Sequence, residues 1–173
     1  MTPSSRCIAL VGLSGGGKST VARLLAARLG WPLRDTDALV EQRTGRRIAE
    51  IFAIEGEDAF RDRESAALAA ALAEPPAVVA TGGGIVLRMA NRALLANKAL
   101  VVWLDAPTEE LLARLRAHDE ERPLLSGDDP AARLEALRAA RAPLYHSLAH
   151  LVIDTTGRSP DTIVEMIMSA ARE

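Results

Sequence analysis

Residues 12–20 read Gly12-Leu13-Ser14-Gly15-Gly16-Gly17-Lys18-Ser19-Thr20. The stretch fits G-x-x-x-x-G-K-[ST], follows an apolar run at 7–11 and precedes an amphipathic run at 21–29. Strand, glycine-rich loop and helix in that order make a phosphate-binding loop. The glycines let the backbone curl until successive N–H groups of Gly15, Gly16, Gly17, Lys18, Ser19 and Thr20 converge on phosphate oxygens. The following helix adds its free N–H groups and the positive end of its dipole. Lys18 brings a mobile full charge to the β/γ-phosphates, and the Ser19 hydroxyl is a ligand for Mg²⁺. Only Lys18 and Lys98 are lysines, against 19 arginines. A lysine at this place suits a task that needs a compact point charge.

The rest of the chain alternates strand and helix signals outward from the loop. Strands are expected at 6–11, 31–34, 77–81, 99–104 and 150–154. Helices are expected at 18–29, 38–43, 48–54, 57–73, 91–96, 108–116, 131–146 and 160–172, with a polar, Pro- and Gly-containing loop at 118–130. Alternation of this kind predicts an α/β fold: a three-layer α/β/α arrangement around a parallel sheet covered on both faces. With 173 residues and 49% hydrophobic content, a single domain spanning 1–173 is expected. The net charge of −2 gives no general attraction to nucleic acid or membrane. The lone Cys7 falls in the first strand and reads as a buried, inert thiol. No apolar run reaches membrane-spanning length and residues 1–6 form no signal peptide, so a cytoplasmic protein is expected. His118, His146 and His150 show no metal-ligand spacing and read as structural or surface residues.

In open parallel sheets ligands sit beyond the carboxyl ends of the strands. The second strand runs into Asp35-Thr36-Asp37, two carboxylates that can divide the work: one holding the metal, the other accepting the hydroxyl proton of an acceptor. Asp105 also ends a strand but precedes Ala106-Pro107 and reads as a turn residue. The third strand runs into Gly82-Gly83-Gly84, which permits close backbone approach to a ligand with N–H groups free to donate. Arg141 stands on an otherwise apolar stretch and calls for an anion. With Arg61, which sits in a charge run, it can hold a carboxylate bidentately. Arg122, in the long loop, suits a lid that closes over a nucleotide, and Arg114 and Arg116 stand just before it.

Taken together the pieces resemble the shikimate kinase family. The resemblance rests on the phosphate loop, Asp35-Thr36-Asp37, Glu41-x-Arg43-Thr44-Gly45, Ile48-x-x-Ile51-Phe52, Gly56-Glu57-x-x-Phe60-Arg61-x-x-Glu64, Gly82-Gly83-Gly84, Arg122-Pro123-Leu124-Leu125 and Arg141-x-Pro143-Leu144-Tyr145, in family order over nearly the whole chain. It implies a P-loop, nucleoside-monophosphate-kinase-like fold with five parallel strands in the order 2-3-1-4-5. It places a lid at roughly 117–130 and a substrate-binding helical segment at roughly 37–64. It implies transfer of the γ-phosphoryl of ATP to the 3-hydroxyl of shikimate, with Mg²⁺ as cofactor, in the biosynthesis of chorismate and the aromatic amino acids. Asp37 would bind and orient the attacking hydroxyl, with Lys18 and Arg122 as its catalytic partners. Ser19 and Asp35 would hold Mg²⁺, Asp35 directly or through water. Arg61, Arg141 and the Gly83–Gly84 backbone would bind shikimate, Arg122 would reach the ATP phosphates, and Arg158 would pack near adenine. Either Arg114 or Arg116 would face the nucleotide. The expected partners are ATP and shikimate, with no nucleic acid, no membrane and a monomeric state. The alternatives are a kinase of another small acceptor such as gluconate, and a non-catalytic module sensing nucleotide or shikimate.

Overall fold

A computed structural model describes residues 6–118 and 127–172. Its elements run β1 (Cys7–Val11), α1 (Lys18–Leu29), β2 (Leu33–Asp35), α2 (Thr36–Thr44), α3 (Ile48–Glu55), α4 (Glu57–Ala71), β3 (Val78–Ala80), a 3₁₀ turn (Ile85–Leu87), α5 (Met89–Lys98), β4 (Ala99–Asp105), α6 (Thr108–His118), α7 (Pro130–Leu148), β5 (Leu151–Asp154) and α8 (Pro160–Ala170). The five strands form one parallel sheet in the order β2-β3-β1-β4-β5, as the resemblance implied.

The central strand β1 is buried at every position, which is why it reads as an unbroken apolar run rather than an alternating one. Its side chains alternate between two cores. Cys7, Ala9 and Val11 join Leu68 of α4, Leu95 of α5, and Trp103 and Tyr145 on one face. Ile8 and Leu10 join Val21 and Leu25 of α1 and Ile163 and Ile167 of α8 on the other. The Cys7 thiol is fully buried and free, and burial pushes its pKa up, which keeps it inert. A third, smaller cluster of Val40, Ile51, Phe60 and Ala67 ties α2, α3 and α4 into a cap beside the sheet.

Register aligns the strand ends. Asp35 pairs with Ala80, Ala80 with Leu10, and Val11 with Trp103, so the segments that follow β2, β3, β1 and β4 leave the sheet at one edge. Gly12 makes the exit from β1 possible. Its φ is +141°, and a Cβ there would stand 2.5 Å from the Leu104 carbonyl oxygen on the neighbouring strand. Both the backbone angle and the contact exclude a side chain. Gly12→Ala should therefore cost about 3 kcal/mol, seen in thermal unfolding as a Tm lower by roughly 6–12 °C.

Where boundaries differ from expectation the causes are local. Helix α2 starts at Thr36 rather than 38, because the Asp35 carboxylate accepts from the N–H groups of Asp37 and Ala38 and caps it. Helix α7 starts at Pro130, capped by Asp129, and runs through Pro143 to Leu148. Helix α5 spans Met89–Lys98 rather than 91–96, and the 3₁₀ turn before it was not anticipated. The Thr108 hydroxyl, at the start of α6, donates to Glu135 of α7. His150 is structural: its Nδ1 accepts from the Val101 N–H at 3.0 Å.

Candidate active site

The segments leaving the sheet edge enclose a cavity of about 540 Å³, lined on one side by the phosphate loop and on the other by Asp37, Arg61, Gly82–84 and Arg141. It brings together Gly15, Gly17, Lys18, Ser19 and Thr20 with Asp35 and the acceptor-side residues expected from sequence. Gly16 is not among the lining residues: its N–H is spent on the Leu13 carbonyl at 3.2 Å, closing the loop's own turn. Arg158 is exposed outside the lining and donates its Nε–H to the Asp154 carbonyl at 2.9 Å. Arg122 and most of the segment expected to be a lid lie outside the described residues.

On the loop side, Lys18 Nζ donates to the carbonyls of Gly12 at 2.7 Å and Leu13 at 2.8 Å. The ammonium is thereby folded back over the glycine-rich loop. Of the two arginines before the segment expected to be a lid, Arg114 is the one that contacts the phosphate loop. Its guanidinium reaches the Gly15 carbonyl at 3.3 Å and Thr155 Oγ1 at 2.9 Å, with Nε on Glu110 at 3.0 Å, while Arg116 is exposed. Thr155, fully buried, also donates to the Asp105 carbonyl at 3.0 Å, so α6 is moored to the loop and the sheet at once. Asp105 itself is ion-paired, its Oδ2 accepting from Arg138 at 3.1 Å.

The donor set for a divalent cation is simple. Ser19 Oγ lies 3.5 Å from Asp35 Oδ2, while Asp35 Oδ1 is committed to the α2 cap. One hydroxyl and one carboxylate oxygen side by side are hard oxygen donors of the kind that would hold Mg²⁺. These residues fit the ion. Among the described residues no group of three or more His, Cys, Asp or Glu could hold a metal by protein side chains alone.

On the acceptor side, α4 turns Phe60, Arg61, Glu64, Ala67, Leu68 and Ala71 inward. Arg61 and Arg141 are each 6% exposed, unusually deep for arginines. Arg61 Nη1 donates to Glu64 at 2.9 Å and Nη2 to Glu57 at 3.1 Å. Burial pushes the Glu64 carboxyl above its ordinary pKa, with Arg61 and Arg141 pulling against it. Arg61 Nε and Glu64 Oε1 are buried without a hydrogen-bond partner among the described residues. The glycines are packed to the limit against these groups. A Cβ on Gly82 would meet Asp37 Oδ1 and Glu64 Oε1, each at 2.8 Å, and one on Gly84 would meet Arg61 Nη1 at 2.1 Å. Only hydrogen at these positions lets the carboxylate and guanidinium groups close around the same space. Spacing alone did not single out Thr36, whose hydroxyl takes the Gly82 N–H at 3.2 Å, or the inward face of α4, although 60, 64, 67, 68 and 71 follow a helical period.

A phosphate loop, an adjacent hydroxyl–carboxylate pair and a cationic pocket across one cavity define an ATP-dependent phosphotransferase of the P-loop kinase class. The family model described as shikimate kinase matches residues 14–172. A shikimate kinase of Symbiobacterium thermophilum is 52% identical over 167 residues, covering 96% of each chain. One from Burkholderia thailandensis is 48% identical over 161 residues, covering 93% of this chain and 87% of the relative. Among solved structures, shikimate kinase from Acinetobacter baumannii in complex with shikimate superposes with a TM-score of 0.92 at 38% identity, covering 95% of this chain and 92% of that one. The chain belongs to the shikimate kinase family. Among the described residues no helix is long and apolar enough to cross a membrane.

Proposed function

We propose that the chain transfers the γ-phosphoryl of ATP to the 3-hydroxyl of shikimate, giving shikimate 3-phosphate and ADP. The observation that carries this reading is the pair of buried arginines, Arg61 and Arg141, across the cavity from the phosphate loop. A kinase acting on an uncharged alcohol has no use for two desolvated guanidinium groups at its acceptor end; a carboxylated ring alcohol does.

In this reading the chain is one kinase domain, with residues 37–64 forming most of the acceptor side and 117–130 a lid. The loop N–H groups and Lys18 hold the β- and γ-phosphates. Ser19 and Asp35 would hold Mg²⁺, which supplies charge neutralisation at the transferring phosphoryl group. Asp37, at the start of α2 and beside Gly82, faces the acceptor and orients the attacking hydroxyl, taking its proton as the oxygen bonds to phosphorus. Arg61, Arg141 and the Gly83–Gly84 backbone hold the carboxylate, so the ring can present one hydroxyl only. In-line transfer is then mainly a matter of position and charge compensation. Arg114, moored to Gly15 and Thr155, borders the nucleotide, Arg158 packs near adenine, and Arg122 approaches the phosphates. The protein acts as a monomer in the cytoplasm.

Coupled ADP release tests this with shikimate, gluconate, a nucleoside monophosphate and no acceptor. Acceptor-dependent turnover is expected with shikimate alone, accompanied by a single phosphate monoester at the 3-position. Equal or faster turnover with gluconate, or ADP release unaffected by any acceptor, would overturn it.

A further inference from the structure

Tyr145 stands one helical turn beyond Arg141 on α7 and is 1% exposed. Its ring packs on Trp103, centroids 5.5 Å apart, and its hydroxyl donates to the carbonyl oxygen of Gly83. Burial pushes the phenol up to about 12, so the hydroxyl keeps its proton at neutral pH. A buried tyrosine commonly finds some partner for its hydroxyl. What gives this one a consequence is which carbonyl it takes.

Pro75-Pro76 is the only cis peptide among the described residues, so the Gly83–Gly84 peptide is trans. In a trans peptide the C=O and the following N–H point in opposite directions. A hydroxyl that draws the Gly83 carbonyl down into the core turns the Gly84 N–H away from the core, to the side where Gly84 lines the cavity. The two preceding peptides are pinned as well, the Gly82 N–H donating to the buried Thr36 hydroxyl at 3.2 Å and the Gly82 carbonyl accepting from the Ile85 N–H at 3.1 Å. Without such anchors three successive glycines have the widest conformational freedom any backbone offers. The Arg141 Nη1 sits 3.3 Å from where a Gly83 Cβ would be, so one turn of α7 delivers both the guanidinium and the anchor of the adjoining peptide.

We propose that Tyr145 is a positioning residue for the acceptor's carboxylate: its hydroxyl fixes the plane of the Gly83–Gly84 peptide so that the Gly84 N–H donates to the anion that Arg61 and Arg141 hold. This rests on the reading of shikimate as acceptor. Tyr145 touches no reacting atom. It acts through the peptide and through the Arg141 guanidinium, which also hydrogen-bonds its hydroxyl, and its effect depends on the acceptor's charge.

The test compares wild type with Tyr145→Phe, which keeps the ring and removes only the hydroxyl. The KM for shikimate is expected to rise about tenfold and the KM for ATP to stay within twofold. With the carboxamide of shikimate, a poorer substrate for both, the variant's penalty should vanish. An unchanged shikimate KM, a parallel rise for both substrates, or an equal penalty on the carboxamide would overturn the proposal. A second measurement needs no variant: the Gly84 amide of ¹⁵N-labelled wild type should shift on titration with shikimate and far less with the carboxamide, and equal shifts would overturn it too. A wild-type chain inactive on shikimate would sink the functional reading and this proposal together. An active wild type with an indifferent Tyr145→Phe sinks this proposal alone.

Discussion

Lys18→Ala is expected to lower kcat by about 10³-fold while leaving the fold and the acceptor KM nearly unchanged. The ammonium is held at the loop by the Gly12 and Leu13 carbonyls, 2.7 and 2.8 Å away. Its partners are carbonyls of the buried residues Gly12 and Leu13, held in part-buried hydrogen bonds, so stability should fall by about 1–2 kcal/mol. The loss falls on turnover because the charge that Lys18 meets grows on the β/γ-bridging oxygen as the phosphoryl group departs. Steady-state kinetics with thermal unfolding as a control separates the two. Lys18→Arg should not restore the rate: a planar guanidinium fork does not replace a compact point charge on a flexible stem.

Arg141→Ala is expected to raise the shikimate KM about 100-fold, close to 3 kcal/mol, with the ATP KM little changed. The guanidinium is 6% exposed and lies over Gly83 at the acceptor end. Removing it leaves a bound carboxylate half satisfied in a desolvated pocket, which costs more than the loss of a surface contact. Arg141 is a cleaner probe than Arg61. Arg61 is paired with Glu57 and with Glu64, itself 1% exposed, and its removal would strand a buried carboxyl and destabilise α4. Arg141 makes no direct ion pair among the described residues, and its hydrogen bond goes to the neutral Tyr145 hydroxyl, so its loss strands no buried charge. Arg141→Lys should recover little, because a point charge cannot serve a carboxylate in two bonds.

Much of the site was legible because its chemistry needs unusual residues in tight order. The phosphate loop, the two carboxylates at 35 and 37, and three glycines in a row leave few other readings. Arg141 stood out as a charge on an apolar stretch. Arg61 did not, because it lies among Glu57, Asp58, Asp62, Arg63 and Glu64 and reads as part of a solvated face. Only the packing of α4 shows that 61 and 64 point inward while Arg63 turns outward to Glu55. The anchors escaped for a different reason. Thr36 and Tyr145 act on backbone groups far away in sequence, through single hydrogen bonds that no local pattern encodes. The division of labour between Arg114 and Arg116 likewise turned on the phase of α6, which brings 114 to Gly15 and Thr155. Element ends moved where a side chain captured a free N–H, as Asp35 does at α2 and Asp129 at α7.

The proposed function gives the cavity two ends with separate tasks, the donor's phosphates at the loop and the acceptor's carboxylate at the arginines. Calorimetric titration of shikimate into Lys18→Ala and Arg141→Ala side by side tests that division directly. Lys18→Ala should bind shikimate within about threefold of wild type, and Arg141→Ala should lose roughly two orders of magnitude. Equal losses in both variants, or a loss in Lys18→Ala alone, would contradict it.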